Sequence, residues 1–270
     1  MTILAGVIGD PIGHSRSPRL HGHWLARYGI DGQYVPLHVR TGDLDAALDL
    51  LPRLGFAGIN VTLPHKEAVF ARADPVTDRA RIVGAANTLT FADGGIHADN
   101  TDGLGFVASL RQGTPAWDPE RPAVVLGAGG AARGIVAALR DAGVPRVIVA
   151  NRTEARAQAL ADAFDGVEAI GWAQAPGALG DAGLLVNTTS LGMTGQPVLV
   201  LPLDDLAPGA VVTDIVYSPL VTPLLADAAA RGNPTVDGLG MLLHQAAPGF
   251  AAWFGRMPEV DDELRRAVLA

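Results

Sequence analysis

Short apolar runs alternate with segments whose apolar positions recur every third or fourth place, and the alternation continues almost from one end of the chain to the other. The runs ILAGVI (3–8), QYVPLHV (33–39), AGINV (57–61), NTLTF (87–91), PAVVLGA (122–128), RVIVA (146–150), GLLVNTT (183–189) and AVVTDIV (210–216) predict strands. Helical spacing fills 18–28, 43–54, 65–72, 102–112, 130–142, 153–164, 222–231 and 239–254. Strands alternating with helices predict a parallel α/β architecture. The stretch QGTPAWDPERP (112–122) interrupts the rhythm with proline and turn residues, and reads equally as an interdomain linker or as a surface loop between helix and strand. No internal repeat or low-complexity segment is visible.

A chain of 270 residues with 49% apolar content can bury the cores of two domains. Cysteine is absent, which excludes disulfides, thiolate nucleophiles and cysteine zinc sites. The N-terminal run is broken at Gly6, Gly9 and Asp10 and has no basic flank, so it reads as a first strand and not as a signal peptide. No stretch approaches the ~18 uninterrupted apolar residues of a membrane span, so the expectation is a cytoplasmic protein. Net charge is −8, and residues 102–240 alone carry −6. A chain without a basic stripe is not expected to bind nucleic acid. An anionic ligand would have to be held by a few placed cations and backbone N–H groups.

VVLGAGGAARGIVAALRDAG places Gly127, Gly129 and Ala132 in the G-x-G-x-x-G/A spacing, directly after a buried-looking strand and before a helix. Gly127 permits the sharp turn, Gly129 a close backbone approach to a pyrophosphate, and Ala132 close packing of helix on strand. The helix N-terminus adds N–H donors and the positive end of its dipole. A plain tight turn is the alternative reading. NAD enzymes carry an acidic residue about 20 residues further on, bonded to the ribose 2′-hydroxyl. Here RVIVA ends in Asn151-Arg152-Thr153, with Arg156 following and Glu154 inside the next helix. Guanidinium groups suit a 2′-phosphate, so the expected cofactor is NADP; otherwise the two arginines are solvated at a helix start.

Lys66, in NVTLPHK (60–66), is the only lysine, and every other fixed cation is arginine. Arginine cannot release its proton in a protein, whereas lysine can, so Lys66 is a candidate for proton transfer. AGINV reads as a buried strand, which puts Asn60, Thr62 and Lys66 at the carboxyl end of a strand, where open α/β sheets bind ligands. In HSRSP (14–18), Ser17 before Pro18 reads as a helix N-cap, while Ser15 has no such structural task. Asn87 starts a strand in GAANT, and Asp102 in HADNTDG opens a helix, where it could equally be an N-cap. His21 and His23 stand two apart and face different sides of a helix, so no metal site is expected.

HSRSP, NVTLPHK, GAANT, NTDG, GAGGAAR, NRTEAR, NTTSLGM, DIVYSP and DGLGMLLHQ, in this order and spacing over essentially the whole chain, resemble the shikimate dehydrogenases. The resemblance implies reduction of 3-dehydroshikimate to shikimate with NADPH, a step toward chorismate and the aromatic amino acids. It implies two α/β domains: an N-terminal substrate domain (1–101), a Rossmann-type NADP-binding domain (102–240), and C-terminal helices (241–270) returning to the first, with the active site in the cleft. Lys66 and Asp102 match the catalytic pair. Ser15, Ser17 and Tyr217 are implied at the substrate carboxylate, and Thr62, Lys66, Asn87, Asp102 and Gln245 around its hydroxyls and reacting oxygen. The cofactor is implied on Gly127, Ala128, Gly129, Gly130 and Ala131 and on Asn151, Arg152, Thr153 and Arg156, with Asp78, Met193, Val216 and Gly238 near the nicotinamide. The apolar middle of GMTGQPVLVLPLDD (192–205) has no reading from either source. A quinate-oxidising relative and a non-catalytic NADP(H) sensor remain as alternatives, and either a monomer or a homodimer is compatible with the resemblance.

Overall fold

The computed structural model describes residues 2–270. The chain divides into two compact units, Met1–Thr101 with Leu243–Ala270 and Asp102–Leu242.

The first unit runs β1 (Ile3–Gly9), α1 (Ser17–Tyr28), β2 (Gly32–His38), a 3-10 turn, α2 (Leu44–Arg53), β3 (Phe56–Val61), α3 (Lys66–Arg72), α4 (Asp78–Val83), β4 (Thr88–Ala92) and β5 (Gly95–Asp99). Its sheet has the order β2-β1-β3-β4-β5. Only β1, β2 and β3 are parallel; β4 runs antiparallel to β3, and β5 antiparallel to β4. The parallel α/β pattern expected from the alternation therefore holds here for β1, β2 and β3, and is corrected for β4 and β5. For β5 the reason is local: β4 and β5 are joined through Asp93 and Gly94, both at positive φ (51° and 74°), the pair of left-handed residues that a tight hairpin requires.

The second unit runs α5 (Asp102–Gly113), β6 (Ala123–Leu126), α6 (Gly130–Asp141), β7 (Val147–Asn151), α7 (Glu154–Ala161), β8 (Val167–Gly171), β9 (Leu184–Asn187), β10 (Val211–Asp214), α8 (Pro223–Ala230) and β11 (Thr235–Val236). Its sheet, β11-β10-β9-β6-β7-β8, is parallel throughout. Strand order reverses between β6 and β9, which opens the crevice where such sheets take ligands, beyond their carboxyl ends. The long helix α9 (Gly238–Phe254) begins in this unit and ends in the first, and α10 (Asp262–Leu269) follows it there. α4, α10 and the strands β5, β8 and β11 occupy segments where periodicity predicts nothing.

Buried strands explain the continuous apolar runs, since both faces of β6, β7 and β9 are covered. The segment 112–122 ends α5 at Gly113 and continues as a loop within the second unit, not a linker, because Trp117 is buried in the same core as Phe106, Leu110 and Val236. The segment 192–205 also acquires a reason. Leu199, Leu201 and Leu203 are buried against Val124, Leu126 and Ile148, while Val198 and Val200 face solvent, so an extended strap lies over the sheet without joining it.

In the first unit, one face of the sheet carries an aromatic cluster of Trp24, Tyr34, Phe250 and Trp253 around His21. Gly58 makes room for it: a Cβ there would fall 2.0 Å from Trp253 Nε1, which donates to the Leu89 carbonyl at 3.0 Å. The His21 ring is fully buried and stacks on Tyr34 with centroids 3.9 Å apart and planes within 1°. Asn60 lies near enough to favour the charged ring slightly, yet neither ring nitrogen gains a hydrogen-bond partner. Burial therefore dominates and lowers the pKa from 6.5 to about 3.

The folded pKa lies below the unfolded one, so the unfolded chain takes up this proton first. Its contribution to stability is full above pH 6.5 and is lost as pH falls toward 3, by up to about 1.4 kcal/mol per pH unit. His21→Phe, which keeps the stacked ring, is expected to flatten the decline of urea-unfolding free energy between pH 6 and pH 4 by about that slope. Parallel declines in the parent and the variant would show that His21 is not the source.

Candidate functional site

In the first unit the expected polar residues collect beyond the carboxyl ends of β1 and β3. Ser17 is the first residue of α1 and buried, with Arg16 at the N-cap making no side-chain capping bond. The expected capping role is corrected: Pro18 stands at the second helical position, not the first, so the helix begins one residue early. The local task falls to Ser15, whose Oγ accepts from the Ser17 N–H at 3.3 Å. The Ser17 hydroxyl, released from capping, lies beside the Tyr34 phenol, whose pKa burial raises well above its usual value.

From Tyr34 a chain of hydrogen bonds runs through the interior. Its hydroxyl donates to Asn60 Oδ1 at 2.7 Å, and Asn60 Nδ2 donates to the Asn87 carbonyl at 3.2 Å and to Thr88 Oγ1 at 3.1 Å. Asn87 Nδ2 donates to Thr101 Oγ1 at 3.0 Å and to Gln245 Oε1 at 3.2 Å, while its Oδ1 accepts from the Thr88 hydroxyl and the Thr101 N–H. Thr101 Oγ1 closes the circuit on the Gln245 carbonyl at 2.8 Å. Ser17, Asn87 and Gln245, distant in sequence, are thus brought to one network. Tyr34, Thr88 and Thr101 were not legible as members. The polar Asn60 inside an otherwise apolar strand was the one available signal.

Thr62 follows β3, with its N–H donating to the Ile8 carbonyl at 3.0 Å. Its methyl lies where a Cβ on Gly9 would come within 2.6 Å, so glycine lets this strand end approach β1. Lys66 heads α3, half-buried, its carbonyl accepting from the Ala86 N–H at 2.9 Å. His65 before it is buried, with Nε2 2.7 Å from the Val39 carbonyl. A carbonyl only accepts, so Nε2 carries the proton and the ring acts as an anchor for the turn that presents Lys66. Asp78 opens α4 on the exposed surface and is paired with Arg81.

In the second unit, Asp102 heads α5 and is half-buried, and Gly103 beside it packs on α6: a Cβ there would lie 2.8 Å from the Gly134 carbonyl. Gly127 has φ +106°, and its Cβ would strike Thr188 Oγ1 at 2.7 Å, so this turn demands glycine. Ala132 is fully buried. Gly129 caps α6 without any side-chain bond, and the space a Cβ would enter at Gly129 and Gly130 holds no atom within 4 Å. An uncapped, side-chain-free helix start of this kind is a fitting cradle for a pyrophosphate. At the tip of β7, Asn151 Nδ2 donates to the Thr153 carbonyl at 2.8 Å. Arg152 and Arg156 are exposed and, among the described residues, neither guanidinium has a hydrogen-bond or ion-pair partner. Two unpaired cations beside that cradle fit a 2′-phosphate. Met193 lies exposed beyond β9, and Val216 buried beyond β10 with half-buried Tyr217 after it. Gly238 donates its N–H to the Val216 carbonyl, and its Cβ would overlap the Ile215 carbonyl at 2.3 Å.

Among the described residues no three His, Cys, Asp or Glu side chains gather as a metal-binding cluster. No helix among them is long and apolar enough to cross a membrane.

Comparison with known proteins gives the same reading from three directions. Profiles described as shikimate dehydrogenase substrate binding domain, shikimate / quinate 5-dehydrogenase and shikimate 5′-dehydrogenase C-terminal domain match residues 7–89, 117–218 and 238–269. The chain belongs to the shikimate dehydrogenase family. It is 62% identical over 270 residues to the shikimate dehydrogenase (NADP(+)) of Cereibacter sphaeroides, covering 99% of this chain and 97% of that one. The enzyme of the same name from Paracoccus denitrificans is 61% identical over 270 residues, covering 99% and 96%. Among solved structures, shikimate 5-dehydrogenase from Thermus thermophilus, in complex with NADP(H) and shikimate, is 36% identical with a TM-score of 0.90 over 99% of both chains. Quinate dehydrogenase from Corynebacterium glutamicum, in complex with NAD, is 33% identical with a TM-score of 0.92 over 99% of both chains.

The buried circuit generates a stability test. Asn87→Ala strips the buried Thr101 N–H and the buried Thr88 hydroxyl of their common acceptor, and each buried orphan costs about 1–3 kcal/mol. The urea midpoint is expected to fall with the m-value unchanged, by a free energy of at least about 2 kcal/mol. An unshifted midpoint would mean that the circuit does not hold this strand end in place.

Proposed function

We propose that this chain catalyses the reversible NADPH-dependent reduction of 3-dehydroshikimate to shikimate. The observation that carries the reading is identity above 60% across the whole length with enzymes named shikimate dehydrogenase (NADP(+)). The solved relatives at 31–36% identity include enzymes named for quinate and for 5-ketofructose, so fold likeness alone would not choose the substrate. We assign substrate binding to residues 1–101, NADP binding to 102–240 and the C-terminal helices to 241–270, with the reaction in the cytoplasm.

In this reading Gly127 to Ala131 and the first turn of α6 hold the pyrophosphate, and Asn151, Arg152, Thr153 and Arg156 hold the 2′-phosphorylated ribose. Met193, Val216 and Gly238 border the nicotinamide; the exposed Asp78 is a weaker member of that set. When bound, NADPH supplies the hydride that reduces the ketone carbon. The oxygen then needs a proton and a compensating charge, and the Lys66 ammonium supplies both, with Asp102 as the acidic member of the pair. Ser15, Ser17 and Tyr217 take the substrate carboxylate through hydroxyl donors, adding no net charge. Thr62 and Gln245 take ring hydroxyls, and Asn87, whose amide is occupied by Thr88, Thr101 and Gln245, serves the substrate by orienting Gln245. Because Gln245 Oε1 is engaged by Asn87, Gln245 meets a hydroxyl through its amide N–H groups.

NADPH formation from shikimate, measured spectrophotometrically, tests the activity, and the ratio of kcat/KM for shikimate to that for quinate tests the substrate. Shikimate is expected to be preferred; a preference for quinate would reassign the enzyme within its family, and binding without turnover of either would make it a sensor. Lys66→Ala is expected to lower kcat by a factor on the order of 10²–10⁴ while leaving NADPH affinity nearly intact. Turnover at the parental rate would remove Lys66 from the mechanism. Replacing Arg152 and Arg156 together by glutamine should erase most of the preference for NADP over NAD, since each charge-assisted hydrogen bond contributes about 1.5–3 kcal/mol. An unchanged preference would place the 2′-phosphate elsewhere.

A further inference from the structure

We propose that Asp214 is the positioning residue for the nicotinamide half of the coenzyme, acting with Asn187 to hold the loops after β9 and β10 in one frame. The inference rests on the NADP-binding reading of residues 102–240. Asp214 is the last residue of β10 and is 1% exposed; Asn187, the last residue of β9, is fully buried. Asp214 Oδ1 accepts from Asn187 Nδ2 at 3.0 Å and from the Val216 N–H at 3.0 Å, and Oδ2 accepts from Thr222 Oγ1 at 2.8 Å. Burial pushes the pKa of the carboxyl up, and these three bonds oppose it.

Each partner passes the constraint on. Asn187 Nδ2 also donates to the Leu191 carbonyl at 3.1 Å, and its Oδ1 accepts from the Thr189 N–H and hydroxyl, so both ends of the amide are fixed by what they face. Thr222 accepts from the Leu225 N–H and caps α8. Val216, held by its N–H on Asp214, is held by its carbonyl on the Gly238 N–H. The two loops are joined again farther out, where Thr194 donates through its N–H and its hydroxyl to the Ser218 carbonyl at 2.8 and 3.1 Å. Met193 and Val216, the residues read as bordering the nicotinamide, therefore sit on segments whose common fixed point is one buried carboxylate. The adenosine half is read onto β6 and β7 instead, through Gly127, Gly129, Arg152 and Arg156, and none of those residues bonds to Asp214.

Of the three donors, the Asn187 and Val216 N–H groups can only donate, while the Thr222 hydroxyl can also accept. An amide in place of the carboxylate loses both N–H bonds if its NH2 faces Asn187 and Val216; if it faces Thr222, that bond is reversed, the hydroxyl proton loses its acceptor, and the other two bonds lose their charged acceptor. The test separates the coenzyme's halves, using NADP and 2′-phosphoadenosine 5′-diphosphoribose, which lacks nicotinamide. Asp214→Asn is expected to lower kcat/KM for NADP with shikimate at least about ten-fold while affinity for the truncated ligand stays within about two-fold. Thr222→Val, which removes one of the three donors, should give a smaller split of the same sense, and Thr222→Ser should restore the parent. Equal weakening of both ligands by both variants, or unchanged kcat/KM, overturns the proposal. Failure of the unaltered protein to bind the truncated ligand would instead refute the NADP reading itself, and this inference with it.

Discussion

A polar group shut away from water must find all its partners within the protein, and that requirement shapes the strand ends of both units. Asn87 in the first unit and Asn187 in the second are almost fully buried amides, each with its oxygen and nitrogen both engaged. Neither can turn over without breaking several bonds at once. Asn87 holds the Thr101 N–H and the side chains of Thr88, Thr101 and Gln245, and Asn187 holds the backbone at Thr189 and Leu191, so irregular chain beyond the sheets is tied to their carboxyl ends.

The second theme is how an acidic protein accommodates an anionic coenzyme and an acidic substrate. With a net charge of −8 it has no broad positive field to draw them in. The means we propose are local and directional: the bare start of α6, two guanidinium groups left unpaired at the tip of β7, a pair of serine hydroxyls and a single ammonium. Many of the other arginines are spent in ion pairs, as Arg27 with Glu259 and Asp261, Arg79 with Asp99, and Arg146 with Glu168. The contrast between spent and unspent cations marks the proposed 2′-phosphate position more sharply than composition does.

Much of this was legible along the chain because it depends on neighbours in sequence. Period and run length revealed eight strands and eight helices, since a buried parallel strand must be apolar on both faces and a packed helix on one. The G-x-G-x-x-A turn was readable because Gly127 must take a positive φ whatever surrounds it. Where sequence reading failed, the deciding contact was distant or the local signal was passed over. The Asp93-Gly94 hairpin was spelled out and still overlooked beside the stronger alternation of strands and helices. Ser15 and Ser17 exchanged structural roles because a helix start moves by one residue with the geometry around Pro18. The strap at 199–203 resembles a strand in pattern, and only its position over a completed sheet face shows why it pairs with nothing.

The sequence by itself determined which residues could do the chemistry: a lone lysine, a glycine turn, an arginine pair where an acid would signal NAD, and nine motifs in family order. Those are properties of residue type and short spacing, which survive being read in one dimension. Tertiary structure alone decided how they are held. Tyr34, Asn60, Thr101 and Gln245 meet around Asn87, and Thr222 meets Asn187 at Asp214, only because the sheet brings strand ends together across tens or hundreds of residues. Burial then removes water as an alternative partner, and it is that removal, invisible in a string of letters, which turns ordinary amides and hydroxyls into fixed points.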